Sequence, residues 1–265
     1  MSTTTTTTTT NNRTLKKVQI GNRERRIPRI IPYKIHQTFK TNVIPETMYQ
    51  AVNSYLSLNP HYDYYFYGDE DIQTIINSFD CSGFSFSNAD LRKAYARLNT
   101  GAGKADLFRY LIVYKEGGCY FDIDTVCLKP LDMLILTDDE LVSGLDERGN
   151  LHQWGLIYKK EHPFMKAALQ LCVYNILNNT FVPGYENYLQ GVGGPPCLDM
   201  AIKFTLGVPL NDQFISGTYK IAPYRFHVLN GDFFGGTIQF NYQNYRQDLE
   251  QMGVKYWQGQ SIYKA

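Results

Sequence analysis

The sequence predicts an α/β fold, and two observations carry that reading: short runs of β-branched and aromatic residues alternate with longer stretches whose apolar residues recur at helical spacing, and glycine or proline stands at the changes between them. From Pro28, the run Arg29 to Phe39 is rich in β-branched and aromatic residues and reads as a first, buried strand. Pro45 suits the first position of a helix, and Met48, Val52, Tyr55 and Leu56 form its apolar stripe until Asn59-Pro60 ends it. Tyr62 to Tyr67 is a second strand. Gly68-Asp69 opens a short helix carrying Ile72, Ile75 and Ile76, and Ala89 to Leu98 is another. Lys104 to Glu116 is strongly helical, with Ala105, Phe108, Leu111 and Ile112 along one side, and Gly117-Gly118 stops it. Cys119 to Asp124 is a short strand running into a loop, and Val126 to Leu128 is expected to continue the sheet. Leu141 to Leu145 and Trp154 to Tyr158 read as strands and Pro163 to Leu177 as an amphipathic helix, so helices should cover both faces of the sheet. The last fifty residues show little periodicity and support no assignment.

Of 265 residues, 43% are apolar and 19% charged, which fits a globular chain long enough for a sizeable core and excludes a disordered one. The net charge is +1, so nothing in the balance calls for a nucleic-acid partner. The charge is uneven, however. Seven basic residues against Glu24 alone lie within the first 29 positions, leaving the remainder acidic. Residues 1–28 join a threonine run to scattered charge and read as a disordered basic tail, followed by one domain over 29–265. The five cysteines lack CxxC spacing and read as reduced core thiols. With no apolar run long enough for a transmembrane segment and no signal-peptide core, the expectation is a soluble, intracellular, cytoplasmic protein.

The chemistry concentrates near the centre. Asp122-Ile123-Asp124 places two carboxylates at the end of an apolar strand, where an α/β sheet opens its ligand crevice. Two ionised carboxylates held together repel unless a cation or a proton lies between them, and a hard ion such as Mn2+ or Mg2+, shared with a nucleotide diphosphate, resolves the conflict. Alone, the triplet reads more readily as a solvated turn. Asp106 and Arg109 lie three apart on one helix face and feed directly into that strand, so acids and arginine can line one crevice, although an intrahelical ion pair is the plain alternative.

Four ordered blocks, Ile31 to Gln37, Asn59 to Tyr64, Lys104 to Tyr110 and Gly117 to Asp124, resemble the DxD-containing sugar transferases. That family includes yeast initiating mannosyltransferases and capsular-polysaccharide transferases, with clostridial toxin glucosyltransferase domains as distant relatives. The resemblance implies a GT-A-like nucleotide-sugar-binding fold, with a mixed, mostly parallel central sheet flanked by helices. It divides the chain into a donor-binding half, 29–130, and an acceptor-side half, 131–265. The implied activity is metal-dependent transfer of a hexose from a nucleotide-diphosphate sugar to a glycan or other hydroxyl acceptor, with retention of configuration. It further implies that Asp106 and Arg109 contact donor ribose or sugar, that Asp122 contacts donor and hydrated metal, and that Asp124 ligates the metal directly. Ile35, His36 and Gln37 would lie beside the nucleobase, largely through their backbone. Gln153-Trp154 stand where the family tends to have asparagine before a strand. Near the C-terminus, Tyr256-Trp257 to Ser261 replaces a more histidine- and tryptophan-rich pattern, so Gln258, Gln260 or Ser261 is expected to complete the metal shell and Trp257 to be either a lid over the donor or a packed core residue. The rival readings are a metal-dependent nucleotidyl- or phosphotransferase and a non-catalytic carbohydrate-binding module, for which 21 tyrosines offer stacking surface. Asp199 and Asp232 remain as spare carboxylates.

Overall fold

The computed structural model describes residues 12–146, 149–221, 224–229 and 233–264, so residues 1–11 of the expected tail, and Asp232, lie outside the described residues. In chain order these form β1 (Asn12–Thr14), β2 (Val18–Gln19), β3 (Lys34–Thr38), β4 (Val43–Pro45), α1 (Glu46–Leu58), β5 (Asp63–Tyr67), α2 (Asp69–Ser78), α3 (Asn88–Arg97), α4 (Gly101–Glu116), β6 (Gly118–Phe121), β7 (Val126–Cys127), β8 (Leu141–Gly144), β9 (Gly155–Tyr158), α5 (Pro163–Asn178), α6 (Leu189–Gly193), α7 (Pro195–Leu206), β10 (Gly217–Ile221), β11 (Tyr224–Leu229), α8 (Phe233–Gly236), β12 (Ile238–Gln239) and α9 (Tyr245–Gln251).

Eight strands form one sheet in the order β10-β11-β8-β9-β6-β3-β5-β2. Its strands alternate between two cores, as a period of two requires. Tyr120, Leu141, Leu156 and Tyr158 face the apolar layer built on α3, α4, α5 and α7, while Cys119, Phe121, Val142 and Ile157 face the layer that includes Met48, Val52 and Tyr55 of α1. Helices therefore cover both faces, as expected. The sheet is mixed, but not mostly parallel: β3 pairs parallel with β5 and β6, and β11 with β8, whereas the other four pairings are antiparallel. The reason is connection length, because a parallel pair needs a long crossover and the short loop between β8 and β9 contains no helix.

Two further expectations are corrected. Residues 12–27 belong to the fold instead of to a loose tail: β1 pairs with β4, β2 extends the sheet beyond β5, and Leu15 is buried. The basic residues that suggested solvation are put to use, since Arg26 donates to buried Asp63 at 2.6 Å and Arg29 lies 3.5 Å from the centre of the Tyr33 ring. Val126 to Leu128 does not continue the sheet, because β7 pairs antiparallel with β12 in a separate ribbon. All five cysteines are free and buried.

The turn from α4 into β6 positions the centre of the molecule. Thr100 Oγ1 accepts from the Gly103 N–H at 3.0 Å to cap the helix start. At the other end Gly117 and Gly118 take φ of 63° and 95°. A side chain at Gly117 would stand 2.5 Å from the Lys160 nitrogen, and one at Gly118 would stand 2.6 Å from the Lys34 carbonyl oxygen, so only glycine permits both the reversal and the close approach.

Candidate active site

β6 ends at Phe121 and releases Asp122 to Thr125 as a tight turn, closed by Thr125 N–H and Thr125 Oγ1 donating to the Asp122 carbonyl at 3.1 and 2.6 Å. The two acids thus sit on a turn at the strand's end and not on a continuing strand. Gln37 on β3 steadies the same carbonyl through its side chain, donating from Nε2 at 3.3 Å while its Oε1 accepts from Tyr64 at 3.1 Å. The Gln37 side chain therefore braces the turn.

Asp106 and Arg109, buried on α4, meet this turn. Arg109 Nη2 donates to Asp122 Oδ1 at 2.7 Å and lies 3.4 Å from Asp106, so its main partner is across the crevice and the intrahelical pair is secondary. Tyr120, two residues before Asp122 on the same side of β6, donates to the same oxygen at 3.0 Å and places its ring 5.1 Å from the guanidinium. Gln153 completes the network. Its backbone and side-chain oxygens both accept from Arg109 Nη1, and its Nε2 donates to Asp106 Oδ1 at 3.0 Å and to the Gly193 carbonyl at 3.1 Å. Sequence reasoning noted Gln153 only as a departure from a family asparagine. Tyr120 was missed altogether, although its place two residues before Asp122 put it on the same strand face.

Asp124 differs from its neighbours. It is 9% exposed, and its Oδ1 is buried with no hydrogen-bond partner. Burial, and then the Asp122 charge, push its carboxyl up to about 8. Burial also raises Asp122, against the pull of Arg109, and lifts Asp106 to about 6. Arg109 is raised above its ordinary value because the carboxylates outweigh the burial that opposes its charge. Three buried carboxyls thus share one guanidinium, and the deficit of positive charge falls on Asp124. A divalent cation fits that deficit, since hard ions take oxygen ligands and Asp124 has an oxygen without a partner. Among the described residues no group of three histidines, cysteines or acids is placed to hold a metal unaided, so any ion here would draw further ligands from water or a bound ligand.

Most of the remaining expected residues have other partners among the described contacts. His36 is fully buried and engaged at both nitrogens: Nε2 donates to the Gly117 carbonyl and Nδ1 accepts from Tyr67, each at 3.0 Å. It is a packing residue with no ring nitrogen to offer a base. Ile35 is buried in the apolar layer with Tyr64 and Cys119. Trp257 is half-buried against Tyr256, with ring centres 5.7 Å apart. Gln258 is exposed, Ser261 Oγ donates to the Tyr263 carbonyl at 2.8 Å, and Gln260 Nε2 donates to the Lys255 and Tyr256 carbonyls. The Gln260 and Ser261 side chains bond within their own loop, which is pinned beside the end of α3. The C-terminal residues that do approach the acids are Tyr242, whose N–H donates to the Asp124 carbonyl at 3.0 Å, and Tyr245, whose hydroxyl is raised by burial and by the nearby Asp124 and Asp122.

Comparison with known proteins places this geometry. Residues 45–141, which contain Asp106, Arg109, Asp122 and Asp124, match the family described as glycosyltransferase sugar-binding region containing DXD motif. This stretch is similar to a DXD sugar-binding region. The chain is 38% identical over 105 residues to inositol phosphoceramide mannosyltransferase 3 of Schizosaccharomyces pombe, covering 40% of this chain and 27% of that protein. It is 29% identical over 153 residues to the initiation-specific alpha-1,6-mannosyltransferase of Candida albicans, covering 52% and 38%. A solved structure titled PaToxG Glycosyltransferase aligns at 19% identity with a TM-score of 0.43, over 71% of this chain and 82% of that one. The chain therefore spans well under half the length of these two curated relatives. The expectation of a cytoplasmic protein is corrected by the same comparison. Several relatives are mannosyltransferases or synthases named for a ceramide, a membrane lipid, and that no helix among the described residues is long and apolar enough to cross a membrane says nothing about the compartment.

Proposed function

We propose that the chain transfers a hexose from a nucleotide-diphosphate sugar to a hydroxyl acceptor, with Mn2+ or Mg2+ at the Asp122-Asp124 turn. The observation that carries this reading is the Asp124 carboxylate, buried and without a partner at Oδ1 beside a second acid braced by Arg109 and Tyr120. Asp124 would hold the ion directly and Asp122 would support it; the ion would supply positive charge against the charge growing on the departing diphosphate.

The chain's own groups do the rest. Arg109, fixed by Asp122 and Gln153, presents a rigid cation to the donor, and Asp106 accepts sugar or ribose hydroxyls while Gln153 keeps it oriented. Because Asp106 and Asp122 are tied down by these bonds, they bind and orient rather than attack carbon. The course that suits them is front-face substitution with retention, in which the bond from the anomeric carbon to the leaving phosphate breaks, the bond to the acceptor oxygen forms on the same face, and the acceptor proton passes to that phosphate. The relatives are named for transferring mannose, which puts mannose first among the donors to test.

Incubation with a panel of nucleotide sugars and Mn2+ tests the proposal. It predicts release of a nucleoside diphosphate, abolished by chelator and by Asp124→Asn. Release of pyrophosphate would point instead to nucleotidyl transfer, and sugar binding indifferent to chelator and nucleotide would point to a carbohydrate-binding module. If no donor is bound or cleaved and Asp124→Asn changes nothing, the reading fails.

A further inference from the structure

The turn between α6 and α7 joins the arginine network to a groove that has no role in the account so far. On its inner side, the Gly193 carbonyl accepts from Gln153 and from Tyr110 at 2.8 Å, and a side chain at Gly193 would approach the Asp106 Cβ to 3.3 Å. On its outer side, Pro196 borders a cavity of about 620 Å3 that also contains Tyr188 and Gln190, and a second of about 280 Å3 that contains Asp199. Asn150, Tyr185 and Pro196 line both, so the two form one groove, of a size that suits a small ligand.

Its chemistry is specific. Asp199 is 7% exposed, held by Lys203 at 2.7 Å through Oδ2, and has no hydrogen-bond partner at Oδ1. Lys203 is itself engaged with the Leu210 carbonyl at 3.0 Å. Two further acids line the groove, Asp212 and Asp146, and Asp146 accepts from the Asn150 side chain. Carboxylates repel an anion and accept from hydroxyls, and the lysine beside Asp199 is already engaged. Tyr188, 64% exposed, adds an aromatic face that can lie against the C–H side of a saturated ring. The segment is preformed: Val182 N–H donates to the Gly191 carbonyl at 2.9 Å, and at Gly191 any side chain would meet the Tyr185 carbonyl at 2.4 Å.

We infer that this groove is the acceptor subsite, and that it takes a neutral polyhydroxylated ring whose hydroxyls donate to Asp199 and whose face rests on Tyr188. The inference rests on the glycosyl-transfer reading for its role, but binding can be measured without transfer. Methyl α-mannoside and myo-inositol, representing a glycan residue and a cyclitol, are titrated into the chain by saturation-transfer NMR, with inorganic phosphate as the anionic probe. One of the two polyols is expected to bind and phosphate is not, and which polyol binds separates the two sources. Tyr188→Ala and Asp199→Asn should each weaken that binding by about tenfold. Asp199→Asn leaves Lys203 without its buried partner, so Tyr188→Ala, at an exposed position, carries the test if the first variant misfolds. Binding of neither polyol, tighter binding of phosphate, or polyol binding unchanged in Tyr188→Ala would overturn the inference. Nucleoside-diphosphate binding, measured separately, fails or succeeds independently, so loss of the donor reading is distinguishable from loss of this one.

Discussion

Replacing Gln153 by leucine removes three side-chain interactions while keeping comparable bulk: the acceptor for Arg109 Nη1, the donor to Asp106 and the donor to the Gly193 carbonyl. Two of these involve charged partners, and a buried hydrogen bond contributes about 1 kcal/mol net, more when a charge takes part. Arg109 retains the Gln153 backbone carbonyl and Gly193 retains Tyr110, which limits the damage at those ends. Asp106 is left with Arg109 at 3.4 Å. The expected cost is therefore about 3 kcal/mol, and at roughly 2–4 °C per kcal/mol for a domain of this size the melting temperature should fall by about 6–12 °C. Donor cleavage should fall further than folding alone accounts for, because Arg109 and Asp106 lose their orientation together. Calorimetry and nucleoside-diphosphate release on the same preparation give both numbers. A melting temperature within about one degree of the parent, with unchanged turnover, would refute the claim that Gln153 organises the site.

Three other outcomes follow from the same structure. Gly118→Ala forces a side chain into φ 95° and to 2.6 Å from the Lys34 carbonyl; the dihedral alone costs about 1–2 kcal/mol, so the variant should express poorly or melt well below the parent, as thermal denaturation will show. Burial holds His36 down to about 4, below the ordinary 6.5, so the unfolded chain takes up its proton first: the His36 contribution to stability should be level above pH 6.5 and fall by about 3 kcal/mol as pH drops to 4, read as the change with pH in the difference between parent and His36→Gln denaturant midpoints, and a pH-independent difference would refute it. Asp63→Asn removes the carboxylate that receives Arg26 and the Gly21 N–H at 2.9 Å, and limited trypsin digestion should then cut within residues 12–27 much faster than in the parent.

What the sequence disclosed and what it withheld divide along physical lines. α4 and β6 were legible because a long periodic stripe and a glycine pair agree, and because Asp106, Arg109, Asp122 and Asp124 lie on a helix and on the turn after the strand that follows it, whose geometry the reversal dictates. Gln153 was not legible, since it reaches Arg109 from 44 residues away by way of β9, and no local pattern encodes that pairing. The two-residue β7 has no periodicity to reveal whether it joins the main sheet or a ribbon with β12. The arm at 12–27 was misjudged for another reason: a charge count averages over Arg26 and Arg29, whereas their value lies in Asp63 and Tyr33, residues that only the fold brings near. The two hydrogen bonds that engage both His36 ring nitrogens were equally out of reach, because a strand pattern does not show which groups the fold brings to a buried ring.

Titration of the chain with Mn2+, followed by the electron paramagnetic resonance signal of the free ion and run with UDP or GDP present, tests the cation site most directly. One ion per chain should leave solution with the parent protein, and Asp124→Asn should leave the signal of added Mn2+ undiminished. Equal uptake by parent and variant, or none by either, would contradict the account.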